Sequence, residues 1–276
     1  MRKISVNQLT TMLWSFEEDI VHYSKEGFDR VGVCRDKAND LGIEKCKELL
    51  LETGISVSSY GSVGFFSDIS GPSLNEQISQ ARKDIQDAAI IGADRVILHT
   101  GGVGNHLRKN KFCVARTVLD ELLLTAEEQG VALAIEPLTV DPVTQGRFSH
   151  SLWDCKELID WYESPWLGLT LDLFHTGNSF LEMDAAWFSE NVHLVQLSDF
   201  RLDKNPRSRC EIGHGDLNLD AFCKLVEESR YEGVFEFELF GEQFDLISYE
   251  QVIKRLATGF LSPLDNPSVE FESMKA

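Results

Sequence analysis

The chain of 276 residues is 43% apolar and 26% charged with only 7 prolines, a balance that supports a large packed core and excludes a disordered or low-complexity polymer. Acidic residues outnumber basic ones 45 to 26, for a formal charge of -19, and a field of that sign repels a phosphate backbone, so nucleic acid is not an expected partner. The longest apolar runs, such as Val131–Ile135, are strand-sized rather than membrane-spanning, so no membrane partner is expected either.

The chain begins Met1-Arg2-Lys3-Ile4-Ser5, without the long apolar region of a secretory signal. Cys34, Cys46, Cys113, Cys155, Cys210 and Cys223 are scattered with no CxxC pair, the pattern of reduced thiols in a cytoplasm rather than of a disulfide framework. Short apolar runs followed by turn residues then recur as strand candidates: Ile4–Val6, Arg30–Cys34, Ser56–Ser59, Arg95–His99, Val131–Glu136, Gly168–Asp172, His193–Gln196 and Val234–Glu238. Helical spacing fills the intervals. Ile43, Cys46 and Leu50 make one apolar face, Ile78, Ala81, Ile85 and Ala88 another, and Ala115, Val118, Leu122 and Ala126 a third. The intervals after the sixth and eighth strands give only short helices, Glu182–Glu190 and Glu250–Thr258.

Strand starts about every 25 to 40 residues match the size of a βα unit, and eight such units predict an α/β fold: a single-domain (β/α)8 TIM barrel over residues 1–262, with 263–276 as a tail. The competing doubly wound sheet lacks its phosphate-binding glycines, since residues 7–14 read Asn-Gln-Leu-Thr-Thr-Met-Leu-Trp. Gly101-Gly102 and Gly61-Ser-Val-Gly64 read as flexible loops over the barrel mouth.

Active groups of such barrels sit where strands exit toward their helices. Four consecutive strands end on an oxygen-bearing side chain: Glu136, Asp172, Gln196 and Glu238. Three carboxylates gathered in an apolar mouth repel one another unless a cation neutralises them, so the set is read as ligands of a divalent metal. All-oxygen donors suit Mg2+ or Mn2+ better than a structural zinc. The competing reading is of solvated, unrelated strand ends. Glu236 competes with Glu238 for the ligand position, since alternation puts both on one face. His175, three residues beyond Asp172, is placed to hydrogen-bond a substrate oxygen or to cap the next helix. His99 and Trp14 are candidates either for lining the pocket or for ordinary barrel packing. Basic residues gather in two loops, His106, Arg108, Lys109 and Lys111, then Arg201, Lys204, Arg207 and Arg209. They form a field for an anionic substrate group or simply solvated charge.

The segment Leu171-Asp-Leu-Phe-His175-Thr-Gly resembles the Asp-x-x-His motif of the sugar phosphate isomerase/epimerase family, the xylose-isomerase-like barrels. Ile135-Glu-Pro-Leu138 is similar to that family's fifth-strand ligand. Ile212-Gly-His-Gly-Asp216 resembles its Gly-x-Gly-Asp turn, and Tyr231-Glu-Gly-Val-Phe-Glu-Phe-Glu-Leu-Phe240 its closing strand. Val195-Gln-Leu-Ser-Asp199 stands where many members have His-x-x-Asp, and the Gln196 departure resembles hydroxypyruvate-isomerase-like members. The resemblance covers about residues 95–260. It implies a divalent-metal-dependent isomerase or epimerase of a small keto-sugar or hydroxy-keto acid, working through a cis-enediolate. Glu136 and Glu238 become paired acid/base groups as well as ligands, and Arg201 a substrate-binding group. Mn2+ or Mg2+ is the favoured ion with Zn2+ or Co2+ as others the site accommodates, and a homodimer is expected. The endonuclease IV branch is set aside, because its Asp-x-His pair aligns with Arg207 and Arg209. Two alternatives remain: a dehydratase of the inosose or 3-dehydroshikimate type, and a barrel that binds without catalysing.

Overall fold

The computed structural model describes residues 2–66, 72–101, 108–138, 150–202, 208–241, 244 and 247–260; the tail expected at 263–276 lies outside them. The strands are β1 (Lys3–Asn7), β2 (Arg30–Cys34), β3 (Ser56–Gly64), β4 (Arg95–His99), β5 (Ala132–Ile135), β6 (Leu167–Asp172), β7 (Val192–Leu197), β8 (Asp199–Arg201), β9 (Ser208–Cys210) and β10 (Val234–Phe237). All but β8 and β9 close into one barrel in the order β1-β10-β7-β6-β5-β4-β3-β2, each neighbouring pair parallel. The (β/α)8 architecture expected from the strand spacing is the one observed. The segment Gly61–Gly64 is a continuation of β3 rather than a loop.

The helices are α1 (Phe16–Lys25), α2 (Arg35–Leu41), α3 (Ile43–Thr53), α4 (Leu74–Ile90), α5 (Arg108–Gln129), α6 (Leu152–Tyr162), α7 (Leu173–Thr176), α8 (Ala185–Asn191), α9 (Leu219–Ser229) and α10 (Tyr249–Phe260). Several starts are fixed locally. Ser15 with Glu18, Ser73 with Glu76 and Ser151 with Asp154 form reciprocal capping boxes that satisfy the first backbone N–H groups of α1, α4 and α6. The apolar faces read from the sequence turn inward: Ile78, Ala81, Ile85 and Ala88 of α4 are buried, as are Ala115, Val118, Leu122 and Ala126 of α5. They pack on the outer face of the barrel, which presents Val96, Leu98, Leu133, Ile135, Leu169, Leu171, Val195, Phe235 and Phe237 to the same core. Each such side chain contributes on the order of 1.5–3 kcal/mol on burial. No helix among the described residues is long and apolar enough to cross a membrane.

The alternate residues of the same strands face the barrel axis, and there the chemistry changes with height. Ile97, Leu194 and Val234 form an apolar cluster separate from the main core. Two residues further along β7 and β10 come Gln196 and Glu236, paired directly across the two strands. Glu238 follows two residues later, at the mouth. A strand of period two thus carries an apolar plug, a buried polar tier and a functional tier on one face.

Candidate active site

The middle tier is self-sufficient. Glu236 is fully buried and its carboxylate accepts from Asn7 Nδ2, Ser58 Oγ and Ser59 Oγ, each at 2.8 Å, and from Gln196 Nε2 at 3.4 Å. Gly32 on β2 completes this pocket, because a Cβ there would land on the Glu236 carboxylate. Glu236 does face inward with Glu238, as alternation requires, but it is enclosed by neutral donors.

The mouth gathers Glu136, Asp172 and Glu238, all buried, with Gln196 reaching up to them from the tier below. His99 Nε2 lies 2.6 Å from Glu136 Oε2. His175 Nε2 lies 3.6 Å from Asp172 Oδ2 and 4.0 Å from Glu136 Oε1. Asp172 also caps the short helix α7 by accepting from Phe174 N at 2.7 Å, which turns His175 back over the carboxylates; the capping role belongs to Asp172 rather than to His175. Gln196 Nε2 donates to Glu238 Oε1 at 3.3 Å.

The cation in the middle of this group is Arg209. Its Nη2 lies 2.8 Å from both Asp172 Oδ2 and Glu238 Oε2, while Nη1 donates to Ser198 Oγ at 2.9 Å and to the Glu238 carbonyl at 3.3 Å. Phe174 and Phe240 sandwich the guanidinium, each ring centroid 4.4 Å away. Arg209 reaches this position from β9, which pairs antiparallel with β8 so that Arg209 stands opposite Phe200. The hairpin is anchored by Asp199, whose carboxylate accepts from Phe200 N, Gly213 N, Gly215 N and Leu217 N at 2.7–3.1 Å. A Cβ on Gly215 would collide with that carboxylate. The Gly-His-Gly-Asp turn is therefore the mount of the arginine hairpin.

One guanidinium does not neutralise two carboxylates, and the pair divides accordingly. Burial would raise Asp172, but Arg209 and His175 hold its carboxyl below the usual range. Burial pushes Glu238 well above that range; Arg209 opposes the shift, while Asp172, Glu136 and Glu236 reinforce it. Burial also lowers His175, against the pull of Asp172 and Glu136. The two neighbouring carboxyls therefore differ in proton affinity, Glu238 above Asp172.

The donor set fits a divalent cation. Glu136, Asp172 and His175 each offer a ligand atom, and these lie within 4.8 Å of one another. Gln196 Oε1 is buried with no hydrogen-bond partner among the described residues, an acceptor that a hard cation satisfies. Among the described residues, Glu136, Asp172 and Glu238 stand around one arginine, which leaves electrostatic room for further positive charge.

Two of the other site candidates lie apart. Trp14 stacks on His22 at 4.3 Å and meets the edge of Tyr249 at 5.4 Å, contacts that join α1 to α10; among the described contacts it has none with the acidic cluster. Arg201 is exposed on β8, where its Nε donates to the His214 carbonyl at 3.1 Å. The arginine among the described residues that enters the site is Arg209, one of the basic loop cluster whose sequence is compatible with either an anionic-substrate field or solvated charge. Its position just before Cys210 and the glycine turn is the sequence signal that marks it. Phe65, which meets the His99 ring edge-on at 4.5 Å, was also missed. His106, Gly102, Lys204 and Arg207 lie outside the described residues, as do the side chains of Arg108 and Lys109.

Comparison with known proteins finds similar chains. The inosose isomerase of Halalkalibacterium halodurans is 24% identical over 267 residues, covering 91% of this chain and 93% of that one. A protein of Sinorhizobium meliloti 1021 superposes with a TM-score of 0.80 at 20% identity, covering 93% of this chain and 96% of the other. The IolI protein, solved with a zinc atom bound, superposes with a TM-score of 0.77 at 20% identity and the same coverage. The family model described as xylose isomerase-like TIM barrel matches residues 22–260, and the chain belongs to that family.

Proposed function

We propose that the chain is a divalent-metal-dependent isomerase or epimerase of a small polyhydroxy ketone, of the inosose or keto-sugar class. The observation that carries this reading is the convergence of Glu136, Asp172 and Glu238 at one barrel mouth with opposite protonation preferences on Asp172 and Glu238. Inosose isomerase as a full-length relative supports the substrate class.

Glu136 and Asp172 would hold the ion, with His175 within reach of the same position, and Gln196 and Glu238 would complete the ligand set. A bound divalent ion supplies a Lewis acid that acidifies the carbon-bound proton next to a ketone. Glu136, oriented by His99, takes that proton. Glu238, whose affinity for a proton is raised by burial against the pull of Arg209, delivers one to the neighbouring carbon or the opposite face of the cis-enediolate. The two glutamates stand at the ends of β5 and β10, separated around the barrel by β6 and β7, so they approach a substrate from different sides. His175 hydrogen-bonds a substrate oxygen from between them.

A panel of inososes and keto-sugars turned over in deuterated buffer with Mn2+ tests the reading. Solvent label in a product of unchanged composition supports it. Loss of water transfers the site to the dehydratase chemistry, and no conversion with any substrate leaves a binding barrel.

A further inference from the structure

Arg209 has a placement that the proton-transfer chemistry does not by itself require. A guanidinium stays charged at any accessible pH, so it is a permanent cation in the space where Asp172 and Glu238 would hold an ion. Its Nη2 makes equal 2.8 Å contacts with one oxygen of each. The clamp of Phe174 and Phe240 gives it a defined seat, while Arg209 Nε is buried with no hydrogen-bond partner among the described residues. A side chain that leaves one of its buried donors unsatisfied in this pose is held there by the two carboxylates rather than by a complete hydrogen-bond shell.

We propose that Arg209 is the resident counter-ion of the metal site: it neutralises Asp172 and Glu238 in the metal-free chain, and a divalent ion binds by displacing it from at least one of them. This inference rests on the metal-dependent reading above and adds to it a cost for metal binding that is set by one residue. The competent form is only that fraction of molecules in which the guanidinium has turned away, so the apparent affinity of the parent is reduced by that fraction. Like charges within about 4–6 Å shift a binding equilibrium by roughly ten- to a thousandfold, which sets the scale of the effect.

The test is Mn2+ binding to the purified full chain, followed by the loss of free-ion paramagnetic signal, for the parent and Arg209→Met. The neutral, similarly long side chain is expected to tighten Mn2+ binding by about ten- to a hundredfold. Equal or weaker binding by Arg209→Met, with the parent binding normally, overturns the inference alone and makes Arg209 a positioning residue for the ligands. No Mn2+ binding by either protein overturns the metal reading and the inference together. Should Arg209→Met prove insoluble, Phe240→Leu decides instead: it removes one face of the clamp and retains every charge. Tightening of about threefold or more is then expected, and unchanged or weaker binding overturns the inference.

Discussion

Glu236 and Glu238 are two residues apart at the end of β10, face the same way and are both buried, yet they sit in opposite electrostatic situations. Glu236 is surrounded by Asn7, Ser58, Ser59 and Gln196, neutral donors that satisfy a carboxylate without requiring a cation. Glu238 shares one arginine with Asp172 and faces further carboxylates, and burial drives it toward the protonated form. The difference separates structural from chemical acidity in this barrel. A buried carboxylate with a full shell of fixed dipoles is a framework element, whereas one with an incomplete shell is available to bind, give or take something.

Substitutions at the two tiers should therefore fail in different measurements. The largest effect is expected at the mouth. Glu136→Gln should lower kcat by about 100- to 10,000-fold, with the unfolding midpoint in urea close to that of the parent. The next is expected in the middle tier. Glu236→Leu strands the Asn7, Ser58 and Ser59 donors and should cost about 3 kcal/mol in urea unfolding. Gly32→Ala, which drives a methyl into the same carboxylate, should cost about 1–3 kcal/mol.

A smaller effect comes from pH and lies away from both tiers. Burial, with Arg95 adding to it, lowers His193 at the start of β7 from 6.5 to about 4. The folded state then keeps His193 neutral where the unfolded chain protonates it, so unfolding takes up a proton between those values. Stability is present in full above about pH 6.5 and is lost as pH falls toward 4, by roughly 2 kcal/mol after allowance for partial exposure. Denaturant titrations at pH 7 and pH 4.5 should show that acid loss shrinking in His193→Gln. The smallest effect is expected at Arg201→Ala, where KM should change by less than about threefold because the side chain is exposed and its contacts, with the His214 carbonyl and Cys210, stay within the hairpin and its turn. A large KM increase there would move substrate recognition out onto the hairpin.

The barrel was legible because its signals are local and repeated. Arg30–Cys34 and Arg95–His99 have the predicted bounds, and the helix faces through Ala81 and Ala126 are buried as their spacing requires. The four strand-end residues were legible for the same reason, since period two and strand length alone bring Glu136, Asp172, Gln196 and Glu238 to one end. What escaped depends on an excursion from the repeat. The hairpin of β8 and β9 is two strands of three residues each, too short to show a pattern, and its partner contacts are set by Asp199 gripping a glycine turn. Arg209 therefore reads as one more loop charge until that turn is folded. Trp14 was open between pocket lining and packing, because an aromatic residue after the first strand serves either; its contacts with His22 and Tyr249 are packing contacts.

The division of labour between the two mouth glutamates is tested most directly by the exchange of substrate carbon-bound hydrogen with solvent in Glu136→Gln and Glu238→Gln, measured with Mn2+ present. With Glu136 taking the proton and Glu238 supplying one, Glu238→Gln should still exchange label into recovered substrate while forming little product, and Glu136→Gln should do neither. Exchange at the parental rate in Glu136→Gln would contradict the assignment.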